Sequence, residues 1–300
     1  MELYLYWMIV LLSILLSVSF LILLERKILG SVQLRKGPNV SLIFGLLHSI
    51  SDAMKLFMKN YFFSSKSNKI LYKISPLCLL LIGLLMWYFY PFNKGLFFSE
   101  MSLIVLMVLM SLTVFPFMLC GWASNSMYPM LGCVRSIAQV LSYEISMLLT
   151  LLCVCMFCES FSALEIIKFQ DVYKNVFILF FSFILLFINL LAEMNRIPFD
   201  FSESESELVS GFNTEIGGFL FVMIFLTEYA NILLMSSVLV VIFMPVSYML
   251  LMIVLVSIFI LILRGSLPRY RYDLLMMLSW KKLLPLNLVL FNIIIIMKYL

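Results

Sequence analysis

The sequence predicts an all-α, polytopic membrane protein forming one integral membrane domain over residues 1–300, and three observations predict it. Hydrophobic side chains fill 64% of the chain and charged ones only 12%, too little polar surface for a water-soluble fold. Mean hydropathy is +1.13. Apolar runs of about 20 residues recur between short polar interruptions, and about 20 helical residues cross a bilayer.

The first run, 3–24, begins almost at Met1 with Glu2 alone before it; with no basic stretch and no small-residue cleavage site, it reads as an uncleaved span. A long loop follows, opening LLERKILGSVQLRKGPN, where Arg26, Lys27, Arg35 and Lys36 surround a Gly37-Pro38 turn. Its continuation, FGLLHSISDAMKLFMKN, repeats Leu46, Leu47, Ile50, Ala53, Met54, Phe57 and Met58 at helical spacing, with Asp52, Lys55 and Lys59 elsewhere. That pattern predicts an interfacial amphipathic helix, and a membrane-surface role accounts for it fully. Glu25 and Asp52 at the same interface add acids to it. Further runs at 70–91, 97–120, 133–158 and 173–192 each predict a span. Runs at 215–241 and 243–264 meet near Pro245, which predicts either a short turn or one broken helix. The run at 281–298 completes eight spans.

An even number of spans puts both termini on one side. The odd-numbered loops hold sixteen of the twenty Lys and Arg residues, so the positive-inside rule turns those loops toward the cytoplasm or its organellar equivalent. The opposite face carries Lys94, Lys168, Lys174 and Lys298.

Several chemistries are disfavoured. One histidine, His48, excludes bis-histidine haem ligation and disfavours a zinc or copper site built on histidine. Cys153, Cys155 and Cys158 form a CxCxxC, yet inside an apolar span and without a fourth nearby thiolate they read as packing residues. No Walker A or GxGxxG fingerprint occurs. The chain is expected to bind no metal, nucleotide or redox cofactor itself, and to have no nucleic-acid partner.

The informative residues are carboxylates in apolar surroundings. Glu144 lies about eleven residues into the fourth span, about 16 Å deep, and Glu228 is similarly deep in the sixth. An ionised side chain there costs about 2.5–3.5 kcal/mol on insertion scales. A structural carboxyl bonded to a neighbouring helix would explain one such residue; two on different helices, beside Tyr143 and Tyr229, favour proton handling. Seven of the sixteen carboxylates fall between Glu193 and Glu228, in AEMNRIPFDFSESESELVSGFNTE and the apolar run that follows. Glu193 ends the fifth span, Arg196 follows, and Pro198 stops the helix. Asp200, Glu203, Glu205 and Glu207 come next; Glu203 and Glu207 share a face if the segment is helical. A solvated acidic loop is the plain alternative, but this one joins Glu193 to the buried Glu228.

The blocks ERKILGSVQLRKGPN, SDAMKLF, GWASNSMYPMLGCVRSIAQVLSYEI, AEMNRIPFDFSESESELVSGFNTE, TEYANI and LPRYRYDLLMMLSWKKLLPL run from the first span to the last. In sequence and order they resemble the chain 1 family of mitochondrial NADH:ubiquinone oxidoreductase, respiratory complex I. The resemblance implies a heel subunit of the membrane arm that shapes the entrance and membrane side of a ubiquinone chamber, with flavin and iron-sulfur clusters in partner subunits. It implies a quinone vestibule at Glu25, Arg26, Arg35, Asp52, Arg269 and Arg271, and a proton relay through Glu203, Glu205, Glu207, Glu193, Glu144 and Glu228. It further implies an electrostatic frame at Arg135, Arg196 and Asp200. Lys59-Asn60-Tyr61 departs from the family, many of whose members carry a Lys-Glu-Pro stretch there, so an acid contact is missing.

The partners implied are the peripheral quinone-reducing module, the other membrane-arm subunits, ubiquinone and membrane lipids. The location implied is the mitochondrial inner membrane. The abundance of Phe, Leu, Met, Ile, Ser and Asn is what an AT-rich organellar genome would encode, which predicts mitochondrial encoding. Two other readings stay open at this point: a stand-alone ion transporter, which would call for an inverted repeat not found here, and the related membrane subunit of a proton-pumping hydrogenase.

Overall fold

The computed structural model describes residues 2–39, 45–60, 67–91, 100–201, 211–244 and 248–299. Every regular element in them is helical, as a chain dissolved in hydrocarbon requires: only a helix satisfies its own backbone polar groups within one segment. The first helix, α1 (Glu2–Val32), runs two turns beyond the expected edge and ends where Leu34 takes a left-handed φ of 57°. The segment expected to be an amphipathic helix folds as α2 (His48–Phe57), which sets the Phe57 ring 5.4 Å from that of Phe219.

Helix α3 (Lys69–Leu85) continues through a 3-10 turn, Met86–Phe89. The third crossing, Ser102–Ser124, divides into α4 (Ser102–Leu112) and α5 (Val114–Ser124). Pro116 supplies no N–H to the turn before it, and the Thr113 hydroxyl donates to Met110 O at 2.7 Å at the break. Helix α6 (Met127–Cys158) begins six residues before its predicted edge at 133 and buries Cys153, Cys155 and Cys158. Gly121 lets α5 lie directly on α6: a Cβ there would sit 2.3 Å from Cys133 Sγ.

Next come α7 (Ala163–Val172), a short helix the hydropathy pattern does not announce, then α8 (Asn175–Ile178) and α9 (Phe180–Glu193). Helix α10 (Phe219–Phe243) ends at an extended Met244, the conformation imposed on a residue before proline. The sixth and seventh runs are therefore two helices, the latter being α11 (Met249–Ser266); the turn at 245–247 lies outside the described residues. The last crossing starts at Tyr272 rather than 281, as α12 (Tyr272–Met277), a π turn (Leu278–Leu283) and α13 (Leu284–Tyr299). Pro285 withholds an N–H from the preceding turn, and the π turn absorbs the mismatch. Among the described residues, six helical segments are long and apolar enough to cross a membrane. The shorter α3 and α9 complete the eight expected positions.

Two helices organise the bundle. Helix α10 is buried from Thr227 to Ala230 and almost continuously from Ile232 to Phe243, and it packs against α1, α2, α3, α7, α9 and α11. A helix that is apolar all round belongs inside a bundle. Helix α6 is the second axis, contacting α5, α9, α13 and the π turn. At the end of α10, Gln170 Nε2 donates to Val241 O at 3.0 Å and to Ile242 O, while Asn175 Nδ2 donates to Ile242 O at 3.1 Å. These amides supply donors to carbonyls that the helix end leaves open.

Candidate functional site

The site forms where α6, α9 and α10 meet. Glu193 is the last residue of α9, and Asn195 turns the chain with a left-handed φ of 50°. Arg196 then points back into the bundle, where Nη2 donates to Glu228 Oε2 at 2.7 Å. Both side chains are at most 10% exposed, and the guanidinium lies 4.6 Å from the Tyr229 ring centroid and 5.8 Å from that of Phe225. Removing either partner of a buried pair strands the other charge, at a cost of about 3–5 kcal/mol. Glu193 and Glu228 line one cavity, together with Asn195, Asn231, Thr113 and Val140. Glu193 Oε2 is buried with no hydrogen-bond partner among the described residues. Glu144, midway along α6, is half-buried, and its negative charge acts on Glu193. Glu193 and Glu228, far apart in sequence, thus share one cavity, and Glu144 acts on Glu193 from α6.

The three frame residues take separate partners, Arg196 with Glu228, Asp200 with Arg269 and Arg135 beside Tyr272. Asp200 is buried and accepts from Arg269 Nη2 at 3.4 Å. The strand-like stretch 269–271 lies along the turn after α9: Tyr270 N donates to Pro198 O at 3.1 Å, and the Tyr270 ring stacks on Phe199 at 5.4 Å. Tyr272 packs against Phe201 at 5.9 Å, and Arg135 lies 5.8 Å from the Tyr272 centroid. Arg271 instead points outward and pairs with Asp273 at 3.1 Å, both largely exposed.

The six expected vestibule residues separate into distinct units. Consecutive helical residues diverge by about 100°, and so Glu25 turns inward to pair with Arg264 of α11 while Arg26 turns to α2 and donates to Asp52 Oδ2 at 2.5 Å. His48 Nε2 lies 3.6 Å from the same Asp52 oxygen. Partial burial pushes the Asp52 carboxyl up, but the hydrogen bond and charge of Arg26, with the charges of His48 and Lys55, outweigh it and hold the group below its ordinary value of 3.8. Arg35 stands exposed in the turn after α1. Arg269 belongs with Asp200 rather than with the Arg26–Asp52 unit. Glu203, Glu205 and Glu207 lie outside the described residues.

Three features escape a search for charges. Arg264 reads as one base of a loop, yet it is the partner of Glu25. Gln139, fully buried on α6, donates through Nε2 to Ala192 O at 2.8 Å and Phe199 O at 2.7 Å. Ser146 donates to Asn189 Oδ1 at 2.8 Å, and its own carbonyl accepts from Asn287 Nδ2 at 3.0 Å, joining α6, α9 and α13. Gln139, Tyr143, Ser146 and Thr150 repeat at alternating four- and three-residue spacing along α6, and all are buried. That polar stripe is the signal that could have found them.

The family described as NADH dehydrogenase matches residues 5–296. The chain is 40% identical over 286 residues to NADH-ubiquinone oxidoreductase chain 1 of Apis mellifera ligustica, covering 94% of this chain and 93% of that one. It is 43% identical to the protein of that name in Strongylocentrotus purpuratus, covering 93% and 90%. The counterpart in Lampetra fluviatilis is 40% identical over 300 residues, covering 95% and 92%.

Proposed function

This chain belongs to the NADH dehydrogenase family, and from that premise we propose that it is a core membrane subunit of proton-pumping NADH:ubiquinone oxidoreductase, complex I. In this reading it bounds the membrane side of the ubiquinone chamber in the mitochondrial inner membrane, and its carboxylates couple quinone reduction to proton movement. The observation that carries the proposal is the meeting of Glu193 and Glu228 on one cavity, with Arg196 paired to Glu228 and the charge of the half-buried Glu144 acting on Glu193 from α6.

Reducing a quinone to a quinol adds two electrons and two protons. The electrons come from iron-sulfur clusters in the partner subunits, which also hold the flavin. Charge developing on the headgroup acts on the polar collar formed by Glu25, Arg26, Arg35, Asp52, Arg269 and Arg271, while the apolar spans accept the isoprenoid tail. Glu203, Glu205 and Glu207 pass the change in charge inward, with Asp200, Arg196 and Arg135 as the electrostatic frame. Uptake of a proton in the Glu144–Glu193 pair alters the field at Glu228, and protonating Glu228 releases the hold of Arg196 on it. The names of the relatives favour this reading over a stand-alone transporter or a hydrogenase subunit.

Glu144→Gln keeps the size of the side chain and removes its proton site. In the intact complex reconstituted in vesicles, it is expected to preserve assembly while lowering proton-coupled quinone reduction about tenfold or more, about 1.4 kcal/mol at the barrier. Full turnover with full pumping would remove Glu144 from the relay.

A further inference from the structure

We infer that Gln139 is a positioning residue for the carboxyl relay: its amide clamps together the two ends of the turn that carries Glu193 and Arg196, and sets both against α6. This inference rests on the relay reading proposed above. Gln139 Nε2 donates to Ala192 O, immediately before Glu193, and to Phe199 O, immediately before Asp200, at 2.8 and 2.7 Å. A primary amide has two N–H donors, one for each carbonyl. Turning the amide over would set Oε1 against two carbonyl oxygens, so the orientation is fixed by the acceptors.

The clamped turn contains both groups whose placement matters. Glu193 opens it, and Arg196 reaches from it to Glu228. Glu144 stands on the same helix as Gln139, so one side chain sets the register of Glu144 against Glu193 and of Arg196 against Glu228. The side chain is wholly buried, and no bulk water replaces its bonds if it is lost. The stretch before α12 also holds this turn, through Tyr270 N donating to Pro198 O at 3.1 Å and Arg269 pairing with Asp200.

The test uses two variants in the assembled complex, with proton yield and turnover measured across pH. The titratable and charged groups around Glu193 are Glu144 and Tyr143 on α6, Glu228 and Tyr229 on α10, and Arg196 on the turn, with Asp200 and Arg269 beyond it; both variants leave them in place. Gln139→Leu fills the space but donates nothing, and is expected to lower proton-coupled turnover roughly ten- to hundredfold, the range for a misplaced catalytic geometry, and to displace its pH profile. Gln139→Glu donates to a carbonyl only as the neutral acid, so its activity should recover as pH falls while that of the leucine variant does not. A loss equal in both variants at every pH would overturn the proposal, as would an unchanged profile. Failure of both to assemble would assign Gln139 to folding and overturn it as well. Glu193→Gln separates the two levels: if pumping survives that change, the relay reading fails; if Glu193→Gln abolishes pumping and the Gln139 variants behave as the parent, only the clamp fails.

Discussion

Arg196 and Glu228 hold each other at 2.7 Å in a setting where neither charge is solvated, so their energetics belong to the pair. Arg196→Gln or Glu228→Gln alone should destabilise the subunit by about 3–5 kcal/mol, by stranding one buried charge. The double variant should lie closer to the parent, because no uncompensated charge remains. Thermal unfolding of the purified complex, read as a double-mutant cycle, checks this; additive losses would show that the two groups do not act together. Glu228 was legible as an acid in an apolar run, but its partner was not, because a turn brings Arg196 back to it across 32 positions. The Glu25–Arg264 pair was hidden more completely, by 239 positions. Hydropathy registers each charged residue by its neighbours in the chain, whereas an ion pair depends on which helices are neighbours in space.

The elements themselves were easier to read than their ends. Apolar length reports the thickness of hydrocarbon, and helices are free to project beyond it; α6 starts at Met127 and the last crossing at Tyr272, both ahead of the apolar runs that announced them. The paired spans at Pro245 needed the extended Met244 to resolve them. How α10 stops is decided by side chains from elsewhere: Gln170 of α7 and Asn175 of α8 donate to its last carbonyls. Gln170→Leu should leave Val241 O without its side-chain donor and Ile242 O with Asn175 alone, and cost about 1–3 kcal/mol. Hydrogen exchange of the intact complex should then quicken at the end of α10 and not at its middle; unchanged exchange there would show that packing alone holds the end. The four-three repeat of Gln139, Tyr143, Ser146 and Thr150 was in plain view, yet these neutral side chains acquire meaning only when α9 and α13 are set beside α6.

At the scale of the molecule, the fold places a polar junction inside an apolar bundle. Helix α10 fills the centre, α6 carries Glu144 and α9 ends at Glu193, and the stretch before α12 fastens the turn after α9 through Pro198, Phe199 and Asp200. The ion pairs Arg26–Asp52 and Glu25–Arg264 tie α1 to α2 and α11. In the proposed function, reducing the quinone changes the protonation of these carboxylates. Redox-induced infrared difference spectroscopy of the intact complex, comparing the parent with Glu193→Gln, tests it most directly. A carboxylic-acid C=O band that changes on quinone reduction is expected in the parent and should be lost in the variant; the same carboxyl difference spectrum in both, with quinone fully reduced, would rule out a protonation change at Glu193.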